Sequence, residues 1–319
     1  MAIFSATLRS HTFSPMLSLA GISRSLLFYF FILAAIHGTS SSQQRITSPH
    51  DTCMTQDAPN QHAQQYPEFV SGNLNGTTLI VPISLKTARR LIPKEYGIAE
   101  AAYRELLPSF PKGMYPMMAQ IVHDHDIQLP IYNASIADFS RASLEFPFVD
   151  IFGDGRSSFR WASTFLISSS NALAIQGAEG YGVTVHPSTF DPPCDAYAAL
   201  PNGATYAHSQ AAPNPNPGSN SAAKFMSIVA KPSPNRVPYP LDFVRAVTNQ
   251  PVFANAQACD YFVRMFDTPL SSAATPVVAD VSVDLDPFRG PRSWHGVYGW
   301  RVATPFLEPF MPEACVRAG

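Results

Sequence analysis

Proline breaks this chain too often for long helices to survive. Thirty prolines are spread through 319 residues. Each removes a backbone donor and clashes with the preceding helical turn, so any helix here must be short. With 12% aromatic residues as well, the pattern points to strands and loops and away from a helical bundle. The 46% hydrophobic share suffices for the core of one large domain or two ordinary ones. A formal net charge of −2 with only 14% charged residues offers no basic face for nucleic acid. Disorder, coiled coil and a polytopic membrane protein are excluded on the same grounds.

The N-terminus carries one apolar run, Leu26 to Ile36 (LLFYFFILAAI), preceded by Arg9 and Arg24 and followed by Gly38-Thr39-Ser40-Ser41-Ser42. As a helix it would rise roughly 16 Å, about half of a hydrocarbon core. Residues 1–40 therefore read as a secretory signal with a long leader, either cleaved or kept as a short anchor, with no stable membrane span after cleavage. Residues 41–319 follow as a single β-rich domain, secreted or lumenal. Its four cysteines, Cys53, Cys194, Cys259 and Cys315, include no C-x-x-C pair, so they imply two disulfides with three possible connectivities. A bridge from Cys53 to Cys315 would pin the two termini. Asn75-Gly76-Thr77 and Asn133-Ala134-Ser135 are glycosylation sequons in turn-like surroundings.

Thr78 to Ile83 reads as a strand, and Ser84 as the N-cap of a helix over Leu85 to Ile92, which Pro93 stops. Ala99 to Leu107 is a second helix, and Pro240 to Thr248 a third, with Asp242 in its first turn. Strands are expected at Met114–His123, Ser140–Phe152, Ser157–Ser168, Val183–His186, Lys224–Ala230, Tyr261–Phe266, Pro276–Leu285 and Gly296–Val302. Gly153-Asp154-Gly155 is a hairpin signal. Residues 201–223, rich in Pro, Asn, Ser and Gly, read as a long surface loop or a linker. The fold class is mainly β: a large curved, mostly antiparallel sheet or β-barrel with a few short covering helices. Such a sheet is a natural container for one apolar ligand.

Few residues carry local chemical signatures. His123 and His125 share one strand face and Asp124 and Asp126 the other; two histidines make no metal site, and the cluster reads as a strand end with solvated charges. No G-x-S-x-G, H-E-x-x-H, phosphate loop or G-x-G-x-x-G occurs. Asp280, Ser282, Asp284 and Asp286 look like the wet face of a strand. Trp294-His295 and Trp300-Arg301 fit either a pocket wall or the core.

The stretch Leu144 to His186 is more specific. A strand bearing Glu145, a hairpin, a second strand, an Asn-Ala segment and a turn with Gly177, Glu179 and Gly182 resemble the acetoacetate-decarboxylase superfamily. That resemblance implies a curved barrel-like sheet around a dry apolar cavity. The family's turn continues Gly-Arg-Glu, two residues, Gly, an aromatic, Pro and two lysines; here Ala178 stands at the Arg, Val183 at the aromatic and Thr184 at the Pro. Val185 and His186 occupy the lysine positions. Decarboxylation through a Schiff base needs an amine of lowered pKa, and the whole chain has only Lys86, Lys94, Lys112, Lys224 and Lys231. What remains is a water-poor pocket with Glu145, Glu179, Tyr181, His186 and Arg141 or Arg160 as its polar groups, needing no cofactor and no metal. Glu179 has a second reading, as a cap or a solvent-facing residue of a tight loop.

The chain as a whole is also similar to the fungal hetero-Diels–Alderases of tropolone sesquiterpenoid biosynthesis. That similarity implies joining an o-quinone methide to a humulene-type alkene, both apolar oxygenated or hydrocarbon small molecules, by orientation and by hydrogen bonding to the diene oxygen. Two alternatives stay open: a decarboxylase or hydrolase using Glu and His as acid and base, and a non-catalytic carrier of apolar ligands.

Overall fold

Long strands, some buried on both faces and some alternating between buried and exposed, dominate the computed structural model, which describes residues 59–212 and 223–317. Among these residues the strands are β1 (Val70–Ser84), β2 (Gly97–Ile98), β3 (Met114–Leu129), β4 (Ala134–Ile136), β5 (Phe139–Asp150), β6 (Phe159–Trp161), β7 (Thr164–Ser168) and β8 (Thr184–Asp191). They continue with β9 (Ala198–Ala199), β10 (Thr205–Ala211), β11 (Phe225–Pro232), β12 (Val252–Phe253), β13 (Val263–Arg264), β14 (Thr275–Asp284), β15 (Arg292–Arg301) and β16 (Thr304–Glu308). Four short helices accompany them: α1 (Leu85–Leu91), α2 (Glu100–Leu106), α3 (Ala172–Gly180) and α4 (Leu241–Thr248). Ser84 caps α1 as expected, its Oγ accepting from Thr87 N at 3.1 Å. Such a cap contributes about 1 kcal/mol.

Nine of the strands close on themselves in the order β1-β3-β5-β7-β8-β10-β11-β14-β15 and back to β1. Every contact in this ring is antiparallel except β7 with β8, which run parallel and are joined through α3. Closure demands tight coiling of β1 against both neighbours. At Gly299 a Cβ would lie 2.1 Å from the Thr78 carbonyl oxygen, so only glycine lets β15 approach β1 there. β16 continues the sheet beside the start of β1 and pairs with β13, while β6 and β12 extend it from the far half of β5.

On β11 and β14, exposed Val229, Lys231 and Asp280 alternate with buried Met226, Ile228, Ala230, Ala279 and Val281, so the buried set faces the lumen. The register carries that inward face round to Leu79, Val81, Met117, Ala119, Ala142, Leu144 and Leu166. These side chains are closed even to water. The middle of the barrel is thus packed at these positions. Alanines fill the space that larger side chains would overcrowd.

Other expectations need correction. Within residues 201–223, taken as a loop, Thr205–Ala211 forms β10 in the barrel wall; its inward residues Ala207, Ser209 and Ala211 are small and carry little strand signal. Residues 157–168 split into β6 and β7, and β13 keeps two residues of the expected Tyr261–Phe266 strand. Cys259 is bonded to Cys315 and Cys194 is also disulfide-bonded, so a Cys53–Cys315 bridge is excluded. Asn75 lies inside β1 and is buried, not in a turn, whereas Asn133 is exposed at a left-handed turn with φ +48°. The signal segment lies outside the described residues. No described helix is long and apolar enough to cross a membrane.

Candidate functional site

The outer flank of the barrel wall collects charge under cover. On β3 and β5 the outward positions Gln120 and Ser143 are register partners, and Asp124, Arg141 and Glu145 share their face. β6, the segment Asp260–Arg264 and β16 close over them. Glu145 is fully buried: its Oε1 accepts from Gln120 Nε2 at 2.8 Å and from Ser143 Oγ at 2.5 Å. Its Oε2 meets Arg160 Nε at 2.6 Å, an ion pair with side chains 0% and 2% exposed. Arg160 also donates to the Thr248 carbonyl at the end of α4.

Two further arginines complete the cluster. Arg141 Nε pairs with Asp124 Oδ2 at 3.0 Å, and its guanidinium lies 5.0 Å from the Phe262 ring. Arg264, buried on β13, donates to Thr304 Oγ1 (3.0 Å), Thr78 Oγ1 (3.2 Å) and the Val302 carbonyl (3.5 Å). It thereby ties the covering layer to β1. Hydrophobic side chains wall the group on both sides: Leu74, Val122, Phe262 and Phe306 on one, Phe165, Ile167 and Val183 on the other.

Desolvation dominates the electrostatics, because charged forms lose their hydration here. Burial pushes Asp260 up to about 6, against the pull of Arg141 and Arg160. Glu308 rises well above the usual carboxylate range through burial and the neighbouring Asp260. Asp124 is raised by burial despite Arg141. Burial, with like charge from Arg141 and Arg160, brings Arg264 down to about 9. Burial also lowers Arg160. It opposes the charge on Arg141 too, but Asp124 and Glu145 outweigh it and that pKa rises. The Tyr181 phenol, buried beside Asp260 and Glu308, stays protonated well above its ordinary range. Three guanidiniums thus face the carboxyl groups of Asp124, Glu145, Asp260 and Glu308. Arg141 keeps 13% of its side chain accessible and Glu308 is half-buried, so the cluster opens on their side.

The sequence-derived residues divide. Glu145, Arg141, Tyr181 and Arg160 come together. Glu179 does not: the expected glycine turn is helix α3, its Glu179 side chain is exposed, and only its carbonyl is used, accepting from Gly182 N at 3.0 Å. His186 does not either, since β8 registers it with Leu166 on the lumen side of the wall. There its Nε2 is buried without a hydrogen-bond partner and burial lowers its pKa. Asp124 is buried and ion-paired, not solvated; it sits diagonal to Arg141 on the neighbouring strand, a placement set by the β3–β5 register. Asp284, expected on a wet face, is buried and bonded to Lys224 at 3.1 Å. Asp260, Arg264 and Glu308 had no local signature. His123 bonds Ser140 through Nδ1 at 2.9 Å, and no described group of three His, Cys, Asp or Glu is arranged to hold a metal ion.

No protein-family model and no characterised protein matches the sequence. Among solved structures the chain is similar to an acetoacetate decarboxylase from Legionella pneumophila, with 9% identity and a TM-score of 0.42 over 88% of this chain and 98% of that one. It is also similar to an acetoacetate decarboxylase-like enzyme from Sphingomonas wittichii RW1 (8% identity, TM-score 0.43, 87% and 100% covered). A third is the enduracididine biosynthesis enzyme MppR complexed with pyruvate (11% identity, TM-score 0.35, 85% and 95% covered).

Proposed function

We propose that the chain is a small-molecule enzyme that works without a Schiff-base lysine, posing an apolar, oxygenated substrate against the Arg141–Tyr181–Glu308 side of the buried cluster. The observation that carries this reading is the residual accessibility of Arg141 in a largely buried, aromatic-walled ionic group. A guanidinium and a phenol there are two donors for one developing oxyanion, and low dielectric strengthens each. The lysines support a non-covalent course. Lys86, Lys94, Lys112 and Lys231 are exposed, and Lys224 is paired with Asp284 and Asp286.

The reaction we infer is the hetero-Diels–Alder joining of a tropolone o-quinone methide to a humulene-type sesquiterpene in fungal secondary metabolism, within the secretory route. Two bonds form in one step and no proton is transferred. The protein contributes orientation, and hydrogen bonding to the quinone-methide oxygen draws electron density out of the heterodiene. The test mixes purified protein with both partners and resolves the adduct on a chiral column. Single-enantiomer product, formed faster than without protein and lost in Arg141→Met, is expected; racemic adduct at the spontaneous rate refutes the proposal.

A second reading rests on Asp260 and Glu308, whose raised pKa values suit acid–base work in a decarboxylase or hydrolase. It requires a pH–rate profile that bends near 6 and flattens in Asp260→Asn. A cycloaddition without proton transfer gives a flat profile.

A further inference from the structure

On the opposite side of β15 a second recess is built by a β-bulge. Asp280 of β14 faces two residues, His295 and Gly296, because the register shifts between Ala279 and Val281. Asp280 Oδ1 accepts from Gly296 N at 3.0 Å and lies 3.3 Å from His295 Nδ1, with Gly296 at φ +63°. The extra residue re-aims the strand. Trp294 and Tyr298, either side of the bulge in sequence, line a groove of about 640 Å³ together with the loop residues Phe110 and Tyr239.

That groove has the size of a small-molecule site, and four aromatic rings wall it. Among its lining residues the one permanent charge is Arg236. The guanidinium lies 5.0 Å from the Tyr298 ring, its residue is exposed, and no described carboxylate pairs with it. His295, which also lines the groove, lies 3.3 Å from Asp280 through its Nδ1. Tyr239, pushed up to about 12 by burial against the opposing pull of Arg236, remains a neutral wall. Resting over the Tyr298 ring, the Arg236 guanidinium can still pair two oxygens of a coplanar group.

We propose that this groove binds a flat aromatic ring carrying one anionic oxygen group, an aromatic carboxylate or an acidic phenolate, with the ring among Tyr239, Trp294 and Tyr298 and the anion on Arg236. The site is separate from the Arg141 cluster and stands or falls independently of the reaction assigned to it.

Calorimetric titration of the purified protein with 2-naphthoate and with its neutral counterpart 2-naphthylmethanol tests the assignment. The anion is expected to bind about tenfold more tightly, the share of one charge-assisted bond. Arg236→Gln should erase that preference while the neutral probe still binds, and Arg236→Lys should restore part of it. Because Arg236 is exposed, its replacement leaves the fold intact, verified by an unchanged circular dichroism spectrum. Equal affinity for the two probes, a preference that survives Arg236→Gln, or no binding of naphthoate overturns the proposal.

Discussion

The Glu145–Arg160 pair offers the sharpest test of how the flank is held together. Glu145→Gln keeps an acceptor for Gln120 and Ser143 but leaves the Arg160 charge buried at 2% exposure with its nearest counter-charge gone. Removing one partner of a buried pair typically costs about 3–5 kcal/mol. Arg160→Met should cost a similar amount, since it strands the carboxylate and frees the Thr248 carbonyl. In the double variant neither charge remains. Its loss should fall short of the summed single losses by about 2–3 kcal/mol, the coupling expected of contacting charges. Urea titration followed by tryptophan fluorescence at pH 7 measures the cycle. For a chain of this size each single variant should lower Tm by roughly 10 °C. Strict additivity of the two single losses would show that the groups do not act as a pair, and the reasoning on the cluster would fail with it.

Two further outcomes follow from the same geometry. Asp260, raised to about 6 from an ordinary 3.8, is easier to bury protonated, so its contribution is intact below pH 4 and disappears as pH climbs through 6. Asp260→Asn should match the parent at pH 4 and exceed its stability at pH 8 by about 3 kcal/mol; parallel stability curves for the two proteins between pH 4 and 8 would contradict this. Gly299→Ala would press a methyl group into the β1 backbone at 2.1 Å from the Thr78 oxygen and should abolish soluble expression or cost more than about 4 kcal/mol. A variant with parental Tm would mean that β15 and β1 are not so closely joined.

Much of the fold could be read from alternation and punctuation. Ser84 and Pro93 bracket α1 and Asp242 lies in the first turn of α4, while the expected strands Thr78–Ile83 and Met114–His123 form only parts of β1 (Val70–Ser84) and β3 (Met114–Leu129). What escaped was written in weak or distant signals. β10 uses alanine and serine on its inner face, residues that suit loops equally well, and α3 forms where glycines suggested a turn. At the site, Glu145 was legible through the resemblance of its strand to the family's, and Arg141, four residues before it on β5, shares its face. His186 was misassigned because facing depends on the register of a parallel pair, which nothing local encodes. Arg264 and Glu308 reach the cluster only through the pairing of β13 with β16 and of β16 with β1, more than a hundred residues from Arg141.

A ring of strands that alternates up and down must have an even count, just as a ring of odd length cannot be coloured with two colours. With nine members, one seam has to join neighbours of the same sense, and here that seam is β7 with β8. A tight hairpin cannot bridge it, because the polypeptide must travel back along the wall before descending again. Helix α3 makes that return journey on the outside of the wall, and Tyr181 is delivered to the charged flank as its last passenger. Odd parity thus obliges the barrel to lay a piece of chain over this flank, and a variant ring of eight or ten strands would have no such obligation.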